Sequence, residues 1–430
     1  MEKRIPIAAL IFILFYFSCK KDNTVGTPTA QVISPAAMST FVVNDTITIK
    51  AQVSDGVSLQ SVSVYITNNQ NIPVLPSLSI PITGKNMTFT CPYPLNNIHL
   101  ASGLYTIVVK AFNGTNTGWG FQQINITALP SKLTGIYTVT RNHTGVHIVK
   151  ADTNYNVSTV YTQGGDYSSS DISTYYQQLY IAAADSGNAT AISLPNTSVA
   201  WSYLGITSST TYFTNTYSYN DAVYVSQYNG QIKYYSHLGA GVMSITVTAG
   251  NYPIKTYVWS SYLFAEEKNI GSQTRNLVLY YAPSGAGFEQ NTLPGPVVNM
   301  LGMDVNDLFV FGNQNTGGAY MELYNIPGNI FYSPIALPSG NLLSVAQVNP
   351  QTYLLGFDNG TIYLYTYNPN SIIPFINGVV ASHMQYDAVG NLLFVSSGKY
   401  VYGYNYTTAG LLHTCNIQDS VLNLHLLYNK

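Results

Sequence analysis

The residues able to do chemistry are few and scattered. Glu266 and Glu267 form an adjacent carboxylate pair, and Arg275 follows inside what the pattern predicts as a long hairpin between two strands. Paired carboxylates serve glycoside hydrolysis, where a retaining enzyme needs them ~5 Å apart and an inverting one ~6.5–9.5 Å. Neighbours on a strand point to opposite faces, so these two do not make such a dyad alone, and at a hairpin tip they are expected to be solvated. His383, His425 and Asp304 fall on segments that read as equivalent strands of a repeat. Imidazole and carboxylate are metal-ligand types, but the spacing does not bring these three together, and hydrogen-bonded neutral histidines satisfy the pattern as well. Cys91 and Cys415 lie too far apart in sequence to read as a disulfide and are expected to be buried. No His-Glu-x-x-His, Gly-x-Ser-x-Gly, phosphate loop, EF-hand or Cys-x-x-Cys pattern occurs. The expectation is a chain with no catalytic residues, no metal and no cofactor.

The elements that position these residues follow from composition. Only 8 % of the 430 residues are charged, against an ordinary 46 % hydrophobic, and 37 are tyrosine. Tyr, Thr, Ser, Asn and Gly stand where helix-forming charged side chains would be, which predicts an all-β protein. A net charge of −2 offers no basic footprint for nucleic acid, which is excluded as a partner.

At the N-terminus Lys3 and Arg4 precede an apolar run from Ile5 to Phe17, and Ser18-Cys19 is followed by Lys20-Lys21-Asp22. The run is shorter than the ~20 residues a membrane-spanning helix needs and has the pattern of a signal peptide. A small residue directly before a cysteine resembles the lipobox of bacterial lipoproteins, although Tyr16 and Phe17 replace the aliphatic and small residues usual there. The Cys-Lys-Lys-Asp start resembles surface lipoproteins of Bacteroidota-type bacteria. That resemblance implies a signal peptide over 1–18, lipidation of Cys19, a tether over 19–30, and a place in the cell envelope as an outer-membrane lipoprotein, periplasmic or surface-exposed. Several acyl chains at ~0.8 kcal/mol per buried CH₂ would make such anchoring effectively permanent.

Residues 31–129 contain about seven short alternating stretches separated by turn residues, the pattern of a β-sandwich. The segment Ser102-Gly103-Leu104-Tyr105-Thr106-Ile107-Val108-Val109 resembles the penultimate strand of bacterial Ig-like domains. By that resemblance Tyr105 is a corner tyrosine whose hydroxyl caps a backbone group.

Residues 131–430 repeat. Asn220-Asp221-Ala222-Val223-Tyr224-Val225 with Asn229-Gly230-Gln231-Ile232 aligns with Gln351-Thr352-Tyr353-Leu354-Leu355-Gly356 with Asn359-Gly360-Thr361-Ile362. Further copies begin near Gln178, Asp307 and Asn391. A period of about 40–45 residues is that of a four-stranded propeller blade, and about seven fit the length. The two Asn-Gly pairs predict type I′ hairpin turns. Leu133–Val139 reads as the second strand of a unit with no inner strand before it, and Ser420–Leu426 as an inner strand with no unit of its own, so the last strand is expected to close a seven-bladed propeller. The architecture resembles WD40 and quinoprotein-like propellers, without a repeated Trp-Asp pair. Tyr363, Tyr365 and Tyr367 alternate onto one sheet face, where packing between blades or sugar stacking would use them.

In propellers the turns between second and third strands share a rim with the connections between blades. That rim is expected to collect Arg141, His143, Asp185, Glu266, Glu267, Lys268, Arg275, Asp358 and Lys399 as a ligand-binding face. The leading expectation is a non-catalytic lipoprotein, held at a membrane by its lipid, whose propeller binds a protein or glycan. An envelope-assembly scaffold and a polysaccharide-active hydrolase or lyase are the alternatives.

Overall fold

The computed structural model describes residues 26–142, 145–185, 187–205, 212–282 and 284–430. All regular structure among them is β, and none forms a helix long and apolar enough to cross a membrane. The chain divides into one unit reaching to Pro130 and another spanning Ser131–Lys430.

The first unit is a two-sheet sandwich. Thr29–Ser34, Thr46–Ser54 and Asn86–Pro94 form one sheet; Ser39–Val42, Thr117–Thr127, Gly103–Phe112, Ser61–Thr67 and Leu78–Ile80, in that order, form the other. Along Thr46–Ser54 the alternation is nearly unbroken: Ile47, Ile49, Ala51 and Val53 are buried and the residues between them exposed. They meet Val62, Val64, Ile107, Val109, Ile124 and Ile126 in one core. The Tyr105 hydroxyl donates to the Ala101 carbonyl at 2.9 Å, the capping role expected of a corner tyrosine.

In the second unit the described strands make seven four-stranded antiparallel sheets. Six are consecutive along the chain, over 169–204, 213–246, 251–292, 297–331, 342–377 and 383–416. We number them sheets two to seven. Sheet one joins the two ends: Val421–Tyr428 pairs antiparallel with Leu133–Asn142, which continues into Gly145–Ala151 and Val157–Gln163.

Each sheet packs a face on the next. Phe264 and Leu277 of sheet four meet Met300 and Tyr320 of sheet five, and Phe309 and Phe311 of sheet five meet Tyr353 and Leu355 of sheet six. The round closes where Phe394 and Val401 of sheet seven meet Leu424 and Leu426, and where Val139 and Ile148 meet Leu179 and Ile192 of sheet two. A second strand is therefore covered on both faces and reads as a continuous apolar run, as in Leu308-Phe309-Val310-Phe311. Fourth strands, covered least, are largely exposed.

Several expectations change on this frame. The Asn-Gly hairpins are not type I′. Only Gly230 (φ 81°) and Gly360 (φ 80°) take positive φ, in three-residue loops whose last residue is left-handed, and such loops are built on a type I turn. Tyr365 is fully buried, with Tyr363 and Tyr367 packed beside it between sheets five and six, so this stripe is core. Asp304 is an exposed turn residue whose carboxylate accepts the Asn306 and Asp307 N–H groups, and it does not line the cavity with His383. Cys91 and Cys415 are buried free thiols in separate units. The largest correction concerns Glu266 and Glu267. They lie inside the strand Tyr262–Asn269 with no exposed surface, not at a hairpin tip, and Arg275 opens the next strand.

Candidate functional site

The seven inner strands surround a cavity of about 470 Å³, to which every one of them contributes. Five of the seven carry a β-bulge at the same place, just after the strand begins: between Phe213 and Asn215, Pro253 and Lys255, Val297 and Asn299, Leu342 and Ser344, and Val421 and Asn423. The extra residue of a bulge re-aims the side chain that follows it. By register against their second strands, Ser169 and His383 occupy the matching position in sheets two and seven. All seven positions are polar, and all seven line the cavity.

Six of the seven tie their sheet to the next. Ser169 Oγ lies 3.0 Å from Thr216 Oγ1, and Asn215 Oδ1 accepts the Thr256 hydroxyl at 2.9 Å and its N–H at 3.1 Å. Lys255 Nζ donates to the Val298 carbonyl, Asn299 Nδ2 to Val345 O at 3.4 Å, and Ser344 Oγ to Ala381 O at 2.6 Å. Asn423 Nδ2 reaches Ser170 O at 3.1 Å. His383 is the seventh, and its ring meets no hydrogen-bond partner among the described residues. Deeper in, Asp171, Tyr217, Tyr257, Gln385 and His425 line a second cavity of about 340 Å³. There Ser170 Oγ lies 2.8 Å from His425 Nε2, and Asp171 accepts the Ser218 N–H at 2.6 Å.

Charge enters this ring at sheet four alone. Lys255 pairs in register with Glu266, which takes an ion pair from Arg275. Glu267 faces the other side of the sheet, accepting from Tyr280 OH, from Asn251 Nδ2 at 3.1 Å and from the Thr248 N–H at 3.2 Å. Burial raises the Glu266 carboxyl above its usual range against Arg275 and Lys255, and it lowers Lys255 against Glu266. Burial, then the Lys255 charge, pushes His383 down to about 4. Burial, then His383, takes His425 to about 3, so both rings are neutral at pH 7. Burial pushes Asp171 up to about 6. The site thus offers one ammonium, amides, hydroxyls and neutral imidazoles, with the Asp171 carboxylate deeper in.

The remaining members of the expected face are spread out. Asp185, Asp358 and Lys399 are exposed, each in the turn between second and third strands of a different sheet, and Arg141 is exposed at the end of its strand. The Asp358 carboxylate accepts the Asn341 N–H at 3.0 Å and Nδ2 at 2.9 Å, and Lys399 lies over the Tyr400 ring. Lys268 pairs in register with Arg275. His143 falls outside the described residues, as does Cys19. Among the described members, Glu266 and Arg275 are brought into an ion pair. The ring itself escaped the sequence reading, although Ile254-Lys255, Val298-Asn299, Leu343-Ser344 and Leu422-Asn423 repeat an apolar residue followed by a polar one at the same point of each unit.

The comparisons with known proteins bear on the fold. Residues 28–109 match the bacterial Ig domain family. No curated protein matches the chain. Among solved structures it is similar to the WD40 beta propeller domain of Doa1, at 11 % identity over 61 % of this chain and 86 % of that one, with a TM-score of 0.50. The C-terminal unit has a β-propeller fold. The computationally designed Ika8 protein is similar to the same degree, at 11 % identity and a TM-score of 0.50, over 69 % of this chain and 91 % of that one. At such identity the likeness is one of fold, and the work of this propeller has to be argued from its own channel.

Proposed function

We propose that this is a lipid-anchored envelope protein whose C-terminal unit, a seven-bladed propeller closed by its last strand, binds an extracellular ligand at the mouth of its channel. The Ig-like module stands between anchor and propeller along the chain and serves as a spacer. The observation that carries the binding role is the cavity to which all seven inner strands contribute. A concave site with a few convergent polar groups on a rigid scaffold is where small ligands bind. Support for the anchor comes from Ser18-Cys19 after a short apolar run, and from the bacterial Ig-domain match.

Two measurements test the reading. Metabolic labelling with an alkynyl fatty acid in a bacterial host should mark the wild-type chain and not Cys19→Ser; equal labelling of both removes the anchor. On a glycan array, Leu343→Glu, an exposed residue of the mouth, should abolish binding, whereas Val305→Glu, an exposed turn residue on the opposite rim, should not. The reverse pattern would move the working face to the other rim.

A further inference from the structure

The ligand's chemistry follows from the groups at the mouth that the protein leaves open. This step rests on the mouth being the binding site. Lys255 has three N–H donors and gives one to Val298 O. Asn215 spends its carbonyl oxygen on Thr256, and its Nδ2 has no acceptor among the described residues. Neither nitrogen of His383 is bonded among them, and its ring is partly exposed to the cavity. Buried polar groups are as a rule satisfied, so three incompletely used groups lining one cavity, from sheets three, four and seven, mark a place for an external partner.

Charge narrows the class. By register Lys255, Glu266, Lys268, Arg275 and Glu289 share one face of sheet four, three cations against two carboxylates, with Glu266 already claimed by Arg275 and Glu289 bonded to Asn329. Glu267 points the other way and is satisfied there. Glu322 is buried on sheet five, and Asp171, which lines the adjoining cavity with Lys255, already accepts the Ser218 and Ile172 N–H groups. A surplus buried cation calls for one negative charge. No other Lys or Arg lines the cavity, so a doubly charged phosphate would lack a second countercharge. The space, about 470 Å³, far exceeds a bare anion, and the rest of the lining supplies hydroxyls, amides and imidazole, the partners of sugar hydroxyls.

We propose that the channel mouth binds a polyhydroxylated monocarboxylate, the chemistry of a hexuronic acid, with its carboxylate on Lys255 Nζ and its hydroxyls on Asn215 and His383.

The test is calorimetric titration of the full chain with D-glucuronate, its neutral isostere D-glucuronamide, and D-glucose. Wild type should favour glucuronate over glucuronamide by about tenfold or more, the scale of one charge-assisted contact. Lys255→Met should erase that preference while Lys255→Arg keeps most of it, with melting curves confirming that both fold. The glucuronate-to-glucuronamide ratio is read on wild type and so does not depend on either variant folding. Equal binding of the three sugars, abolished by Leu343→Glu, would overturn the carboxylate assignment and leave the mouth as a binding site. Binding of none, or binding indifferent to Leu343→Glu, would overturn both. Unchanged glucuronate preference in folded Lys255→Met would overturn the role of Lys255.

Discussion

Sheets four and six share a backbone and differ in what they hang on it. Where sheet four has Lys255, Glu266 and Arg275, the register-equivalent residues of sheet six are Ser344, Gly356 and Gly360. In sheet six the neighbour closes in. A Cβ on Gly356 would lie 2.8 Å from the Ala381 side chain and 2.9 Å from Ser344 Oγ, and Ser344 is itself bonded to Ala381 O. In sheet four the same positions hold a buried carboxylate, a guanidinium and an ammonium against sheet five. The shared frame is thus satisfied by small neutral residues, and charge at these positions is a local departure with a desolvation cost that only its partners offset.

The comparison can be broken or sharpened by experiment. Both sheets depend on the ring staying shut, so deleting residues 419–430 should have the largest effect. It removes the buried Leu424, Leu426 and Leu427, each contributing ~1.5–3 kcal/mol, and bares the edge of Leu133–Asn142. Calorimetry should show the propeller's transition lost or far lower; an unchanged transition would refute closure. Next, Arg275→Leu strands the Glu266 carboxylate and should cost about 3–5 kcal/mol by urea titration. Gly360→Ala at the equivalent position meets only a left-handed backbone and should cost about 1–2 kcal/mol. Equal costs would dissolve the distinction between the sheets.

Acidification tests the channel histidines. Both have folded pKa values below the ordinary 6.5, so between pH 6.5 and about 3 the unfolded chain binds more protons than the folded one, and stability should fall as pH falls through that window. Asp171, raised to about 6, works the other way: it loses stability as pH rises from 3.8 to 6, which makes the net acid loss shallower. His425→Gln should lessen the loss below pH 6.5, read from urea midpoints at pH 7 and 4.5; an identical slope would contradict neutral burial. The smallest effects belong to Lys399→Ala and Asp185→Ala, exposed at turn tips, which should stay within about 0.5 kcal/mol.

How much of this was legible in sequence depended on the range of the interaction. Alternation along Thr46–Ser54, the Gly-x-Tyr before Ile107 and the spare strand near Val421 are local or counting signals, and they announced the sandwich, the corner tyrosine and the joined ends. Glu266 and Glu267 misled because charge in a short window reads as solvent exposure. Their burial is tolerated through partners on two other strands, Lys255 and Arg275, and through Tyr280, a property of cross-strand register. The polar ring was hidden for a related reason. One polar residue amid apolar neighbours is unremarkable in any single strand, and its meaning appears only when strand register, with bulges in five of the seven, aligns them around a common cavity.

The most direct measurement converts sheet four into an apolar counterpart of sheet six. Replacing an entire buried ion cluster by apolar residues of similar volume is often neutral, so Lys255→Met, Glu266→Leu and Arg275→Met together should cost less than Arg275→Leu alone. Titrating that triple variant and the wild type with D-glucuronate, beside their urea midpoints, asks whether the charged departure is there for a ligand. The account predicts a folded variant with a midpoint near wild type and no preference for glucuronate over glucuronamide. A folded variant that keeps the wild-type preference would contradict it.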